Sequence, residues 1–175
     1  MGRLAGWLSP AREADWDALY AEQLPRVYNY FRFRVGDGPD AEDLTSATFA
    51  KAWRARLRYR RDLGAFTTWL FSIARHVAID HFRKARRWAP LEEAADQPGG
   101  RTPEELAEER SDFERLTRLL SRLQEREREL LALKYGMQMT NRAIARLVGL
   151  SESNVGTILH RATGTLRAGW NQEMP

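Results

Sequence analysis

The chain contains no cysteine, which excludes a disulfide scaffold and any thiolate metal site. Histidine is scarce as well. His76, His81 and His160 are the only ones, too few and too scattered for a histidine-rich metal centre. No apolar run is long enough for a signal peptide or a bilayer span, so the expectation is a cytoplasmic chain without stable membrane insertion. There is no phosphate-cradling glycine loop, no histidine–acid cluster and no pair of carboxylates in a candidate cleft. An enzyme is therefore not expected, nor is any metal or cofactor. What remains is a chain of 175 residues, 30% charged and 43% hydrophobic, enough for one medium domain or two small ones.

The formal net charge is only +4, but it is unevenly spread. Residues 1–87 hold 16 Lys+Arg against 10 Asp+Glu, residues 88–112 hold 2 against 8, and residues 113–175 hold 10 against 6. Two basic blocks around an acidic stretch fit two surfaces that meet polyanions. Charge balance alone favours solvated helical faces.

Periodicity is helical almost throughout, which makes the fold class all-α. Ser9-Pro10 reads as a helix start, followed by a helical pattern to about Val35 that should break or kink at Pro25. Gly36-Asp37-Gly38-Pro39 is a turn. Asp40 is placed to cap a second helix, with Asp43 as its reciprocal acid, running to about Ala55. A short loop covers Arg60–Gly64, and a long helix follows from Phe66 to about Arg86. Trp88–Arg101 has the proline, glycine and acid content of a tether. Thr102-Pro103-Glu104-Glu105 then restarts helix with a cap, a first-position proline and a capping box, giving helices near 103–121 and 125–135. The expected organisation is a helical domain over 1–87, a flexible acidic linker over 88–102 and a second helical domain over 103–175.

Thr140–Leu166 has the offsets of a helix-turn-helix. Thr140 caps a short helix over Asn141–Val148, Gly149 supplies the left-handed residue that ends it, and Ser151 caps the next. Ala145 is small where the helices would cross. Val155, Ile158, Leu159, Ala162 and Leu166 make one apolar stripe, turning Ser153, Asn154, Gly156, Thr157, His160 and Arg161 toward solvent. Such a second helix enters a major groove. There Asn154 and Thr157 suit base edges, and Arg142 and Arg161 suit phosphates or bases. An ordinary helical hairpin is the bland alternative.

In the first half, Arg54, Arg56, Arg58, Arg60 and Arg61 crowd around Tyr59. Cations beside rings suit unpaired nucleic acid. On the long helix, Phe66, Trp69, Leu70, Ile73, Ala74 and Val77 share a face that reads as core, with Arg75, Arg83 and Arg86 away from it. Asp80, near the stripe, reads as a structural partner for an arginine, and His76 gives no reason to invoke chemistry.

The segments DAEDLTSATFAKAW and GAFTTWLFSIARHVAIDHFRKARR resemble region 2 of the extracytoplasmic-function (group IV) bacterial sigma factors. LLALKY, TNRAIARLVGLSESNV and HRATGTLR resemble region 4 of the same family. The resemblance covers about three quarters of the chain, in the family's order. It implies a protein that binds core RNA polymerase, through clamp helices and flap, and directs it to promoters. By that resemblance Asp43, Leu44, Ser46, Ala47 and Ala50 dock on polymerase. Arg54, Arg58, Tyr59, Arg60, Arg61, Asp62, Gly64, Arg75, Arg83, Arg86 and Arg87 meet the minus-ten element, part of it single-stranded. Arg142, Ser153, Asn154, Thr157, His160 and Arg161 read the minus-thirty-five duplex. An anti-sigma factor is a further implied partner. Ser46-Ala47 stands where members often have a polar–acid pair, and Gly156 and Ile158 stand where many have lysine or arginine. A stand-alone helix-turn-helix regulator also explains the second half. It leaves the arginine cluster and the GAFTTWLFSIAR helix without a purpose.

Overall fold

The computed structural model describes residues 16–59, 65–88 and 103–172, with side chains left undescribed at 86–88 and 103–111. Among the described residues every regular element is helical. They are α1 (Trp16–Val35), α2 (Pro39–Ala55), a single 3-10 turn (Arg56–Arg58), α3 (Phe66–Trp88), α4 (Pro103–Ser121), α5 (Glu125–Leu131), a π-helical turn (Ala132–Gly136), α6 (Asn141–Val148) and α7 (Glu152–Gln172). The expected helix start at Ser9-Pro10, the loop at 60–64, the cap at Thr102 and the tether all lie outside the described residues.

Three local expectations need correction. Helix α1 continues through Pro25, so the expected interruption there is not a break. Asp40 does not cap α2, because Gly38 takes the cap position at φ 132° and Pro39 opens the helix. That places Asp40 inside the first turn, where its charge still complements the helix dipole. The helix expected over 125–135 is α-helical only to Leu131 and closes in the wider π turn.

Helices α1, α2 and α3 pack together over Val27, Phe31, Ala41, Leu44, Ala52, Leu70, Ala74 and Val77, all buried. In the C-terminal half α4, α5, α6 and α7 gather around Leu120, Leu130, Ile144, Ala145, Val155, Leu159 and Ala162. The two halves meet, and their buried residues form one continuous cluster. Helix α1 lies along α5 and the π turn. Helix α3 carries a second buried row, Phe71 and Ala78, besides the face read from the sequence.

Polar contacts line the seam between the halves. Arg26 donates from Nε (3.0 Å) and a terminal nitrogen (2.5 Å) to the Met137 carbonyl, while its guanidinium covers the Phe71 ring at 4.8 Å. Burial pulls the Arg26 pKa below its ordinary value, with Glu22 opposing. Arg34, 6% exposed, pairs with Glu125 and lies 4.7 Å over the Phe82 ring. Arg75 pairs with Glu129 at 2.7 Å.

Candidate nucleic-acid interface

At one end of the three-helix half, five rings converge. Trp16 opens α1, Trp53 closes α2, Tyr59 follows the 3-10 turn, and Phe66 and Trp69 begin α3. Trp16 stands edge-on to Trp53 (5.6 Å), Phe66 (5.4 Å) and Trp69 (6.4 Å). Tyr59 meets Phe66 at 5.5 Å and Trp69 at 5.2 Å. Edge-to-face and tilted pairs at these separations each add roughly 0.5–1.5 kcal/mol beyond area burial. The cluster therefore fixes both described ends of the segment that contains residues 60–64. Phe66 is 9% exposed and core-like, whereas Trp53 is 50% exposed.

The cations around this cluster are arranged unevenly. Arg54 and Arg58 are exposed. Arg56 is stacked 4.0 Å over Trp53 and donates to the Trp53 carbonyl at 2.9 Å, so it supports the ring. Arg83 is exposed but pairs with Asp80 at 3.0 Å, and Lys51 on α2 reaches the same carboxylate at 3.6 Å. Asp80 thus has its expected arginine and also links α2 to α3. His76 Nδ1 lies 2.6 Å from the Ser72 carbonyl, a local helical contact. Arg60, Arg61, Asp62 and Gly64 lie outside the described residues, as do the side chains of Arg86 and Arg87.

Arg75 departs from the expectation that it stands apart from packed surface. It is half-buried and held by Glu129, because the side of α3 that carries it faces the C-terminal half. On α2, Asp43, Ser46 and Ala50 are exposed and Ala47 is half-buried. Leu44 is only 9% exposed and belongs to the core. Phe49, edge-on to Tyr20 at 4.6 Å, together with Trp53 and Leu57 extends the exposed side of α2 with apolar surface. Their four-residue spacing is visible in the sequence and was not read as surface.

The helix-turn-helix forms as its caps require. Thr140 Oγ1 accepts from the Ala143 N–H at 3.2 Å. Gly149 adopts φ 71°, a left-handed conformation that costs a non-glycine residue about 1 kcal/mol or more. Ser151 Oγ accepts from the Asn154 N–H at 3.1 Å. Val155, Leu159 and Ala162 are buried, with Ile158 and Leu166 packed beside them. Ser153, Asn154, Thr157, His160 and Arg161 are exposed along the other side of α7. Gly156 is not demanded by packing, since a Cβ there would meet Asn141 Nδ2 at an ordinary 3.7 Å.

Two acids on this surface were missed. Glu152 pairs with Arg142 at 3.2 Å across the turn. Glu127 holds Arg161 at 3.1 Å while also accepting from the Gln124 N–H at 3.1 Å. The i to i+3 relation of Gln124 and Glu127 was a legible capping-box signal. No helix among the described residues is long and apolar enough to cross a membrane.

Sigma-70 region 2 matches residues 19–88, and Sigma-70, region 4 matches residues 113–166. The ECF RNA polymerase sigma factor ShbA of Streptomyces griseus is 32% identical over 161 residues, covering 86% of this chain and 84% of that protein. BldN of Streptomyces coelicolor, an ECF RNA polymerase sigma factor, is 34% identical over 163 residues. That match covers 89% of this chain but only 61% of the longer relative. Among solved structures, the sigma factor RpoE of Bartonella quintana, determined with the anti-sigma factor NepR, gives a TM-score of 0.72 at 20% identity. The match covers 91% of this chain and 99% of that one. CnrH, determined with the cytosolic domain of CnrY, gives 0.62 at 22%, covering 93% and 89%. These two likenesses establish a shared fold; the sequence relatives and matched regions go further, and the chain belongs to the extracytoplasmic-function RNA polymerase sigma factors.

Proposed function

We propose that this protein docks on core RNA polymerase and directs it to a two-part promoter, reading a minus-thirty-five element as duplex and opening a minus-ten element. One observation carries the reading. A ring-and-arginine cluster and a helix-turn-helix with an exposed polar recognition face occur in the same chain, in the order of regions 2 and 4 of the family.

On α7, Asn154, Ser153 and Thr157 present groups for base edges, with Arg142, His160 and Arg161 near the phosphates. Thr157 Oγ1 already donates to the Ser153 carbonyl at 3.0 Å, so it serves DNA as an acceptor. In the other half, Arg54, Arg58, Arg83, Arg86 and Arg87 follow the backbone of the minus-ten element. The segment of Arg60, Arg61, Asp62 and Gly64, which follows Tyr59 in the chain, receives an unpaired base. Capture of such a base offsets a few kcal/mol of unstacking. Asp43, Ser46, Ala47 and Ala50 form the contact to the polymerase clamp helices, and the C-terminal half meets the flap. Two weak DNA sites become selective once polymerase fixes their separation, through effective concentration. An anti-sigma factor that covers the polymerase-binding faces is the expected regulator, in a cytoplasmic setting.

The test is reconstitution of the purified protein with bacterial core polymerase, followed by mapping of transcription starts on genomic DNA. New starts sharing a two-part upstream motif are expected. Absence of core binding together with absence of new starts would sink the assignment. Tight sequence-specific binding by the free protein at physiological salt would favour a stand-alone regulator instead.

A further inference from the structure

Leu57 is a large apolar side chain held almost wholly in water, 89% exposed at the middle of the 3-10 turn. Single exposed leucines are common on protein surfaces, so its setting is what matters. Trp53, one helical turn earlier, is 50% exposed and continues the same apolar edge. The run from Trp53 to Tyr59 reads WRARLRY, three arginines with no acid among them. Arg54 and Arg58 are exposed, whereas Arg56 is taken up by stacking over Trp53 at 4.0 Å. The result is an apolar tip between two outward cations.

The tip is rigidly backed. Trp53 is held edge-on by Trp16 at 5.6 Å, and Tyr59 packs against Phe66 and Trp69 at 5.5 and 5.2 Å. The Tyr59 N–H closes the turn by donating to the Arg56 carbonyl at 3.2 Å. Leu57 therefore projects from a short turn whose two ends are both fixed by rings. Trp53 is less suited to insertion, because Arg56 covers one face of its ring and Trp16 abuts it.

Two kinds of partner can cover a leucine here, a protein groove or the stacked bases of DNA. Charge decides between them. Glu42 and Asp43, both exposed, lie toward the other end of α2, roughly 20 Å away at 1.5 Å per residue. The proposed clamp contact is thus acidic where it begins, and the leucine tip is wholly cationic. Base pairs offer an apolar stacking surface bounded by phosphates, the pattern that a leucine flanked by arginines complements. Proteins that kink or unstack duplexes insert apolar side chains between base steps in this way.

We propose that Leu57 is a wedge, inserted between two base pairs at the upstream edge of the minus-ten element while Arg54 and Arg58 hold the phosphates beside that step. The proposal rests on the sigma-factor reading and adds to it the group that starts strand separation. Burial of the leucine offsets part of the lost stacking. The wedge acts only while the strands are paired; afterwards the arginines suffice to hold the backbone.

The test uses the full chain, reconstituted with bacterial core polymerase, on a promoter found by the start mapping described above. A fluorescent adenine analogue in the minus-ten element reports opening. The same promoter is also made with a mismatched, already open minus-ten stretch. Leu57→Ala should open the paired promoter roughly tenfold more slowly, the loss expected when a leucine side chain is buried on the way to the open state. Leu57→Met should keep most of the rate. On the mismatched fragment Leu57→Ala and the wild type should bind alike, and their affinities for core polymerase should match. Arg58→Ala should weaken binding of both fragments, as loss of a phosphate contact does. Leu57 packs so little in the free chain that equal melting temperatures are expected and serve as the check on folding.

Equal opening rates for Leu57→Ala and the wild type overturn the proposal. So does an equal loss on the paired and mismatched fragments, which would make Leu57 a strand contact rather than a wedge. Weaker core binding by Leu57→Ala would assign the residue to polymerase and overturn the wedge as well. Failure of the wild type itself to bind core polymerase would instead remove the sigma-factor reading.

Discussion

Glu127 performs two tasks that one pair of substitutions can separate. Its Oε2 accepts from the Gln124 N–H at 3.1 Å, the reciprocal half of a capping box, and its Oε1 takes Arg161 Nε at 3.1 Å. The side chain is 11% exposed, but Arg161 is 64% exposed, so solvent screens the ion pair and its value falls to about 0.5 kcal/mol. The capping contact is worth about 1 kcal/mol. Glu127→Ala removes both and should cost about 1.5–2 kcal/mol. For a chain of this size that lowers the melting temperature by roughly 3–8 °C. Glu127→Gln keeps an oxygen for the Gln124 N–H and loses only the ionic part, so it should cost about 0.5 kcal/mol and respond less to salt. Urea titrations at low and high salt, with Arg161→Ala completing a double-mutant cycle, measure each part. If Glu127→Gln proves as damaging as Glu127→Ala, the capping argument fails. A coupling to Arg161 above about 2 kcal/mol would refute the screening argument.

Other expectations follow from the same geometry. Thr140→Ala should cost about 1 kcal/mol through loss of the cap on α6, and Gly149→Ala about 1–2 kcal/mol through its φ of 71°; denaturant midpoints check both. Tyr28 and Tyr30 are pushed up to about 12, first by burial, with a hydrogen bond to Asp37 adding to the shift at Tyr28. A raised phenol pKa favours the neutral ring in the folded chain. That stability is complete below pH 10 and is lost as pH rises through 12. Tyrosinate absorbance from two rings should therefore lag until about pH 12 and vanish from the lag in Tyr28→Phe and Tyr30→Phe; a titration complete near the ordinary value would contradict it. Asn154→Ala, assayed on promoter variants with polymerase present, should relax preference at one base position by about 1–3 kcal/mol, whereas Arg142→Ala should weaken all sequences alike.

The helix-turn-helix was legible because its determinants are local. Thr140, Gly149 and Ser151 act within four residues of their own positions, and the α7 stripe repeats at helical spacing. The start of α2 was misread because both Asp40 and Gly38 satisfy short-range rules, and Pro39 decides for the glycine by occupying the first helical position. The seam was not legible. Arg75 and Glu129 are 54 residues apart in sequence, and an arginine on the polar side of a helix reads the same whether it meets water, phosphate or a distant glutamate. Phe71 and Ala78 carried a hint, since they lie off the main α3 stripe, yet a single extra apolar row also fits a wide face of one core. Gly136 read as a helix stop. It does end a helical segment, but the close approach of Tyr30 is what excludes a side chain there.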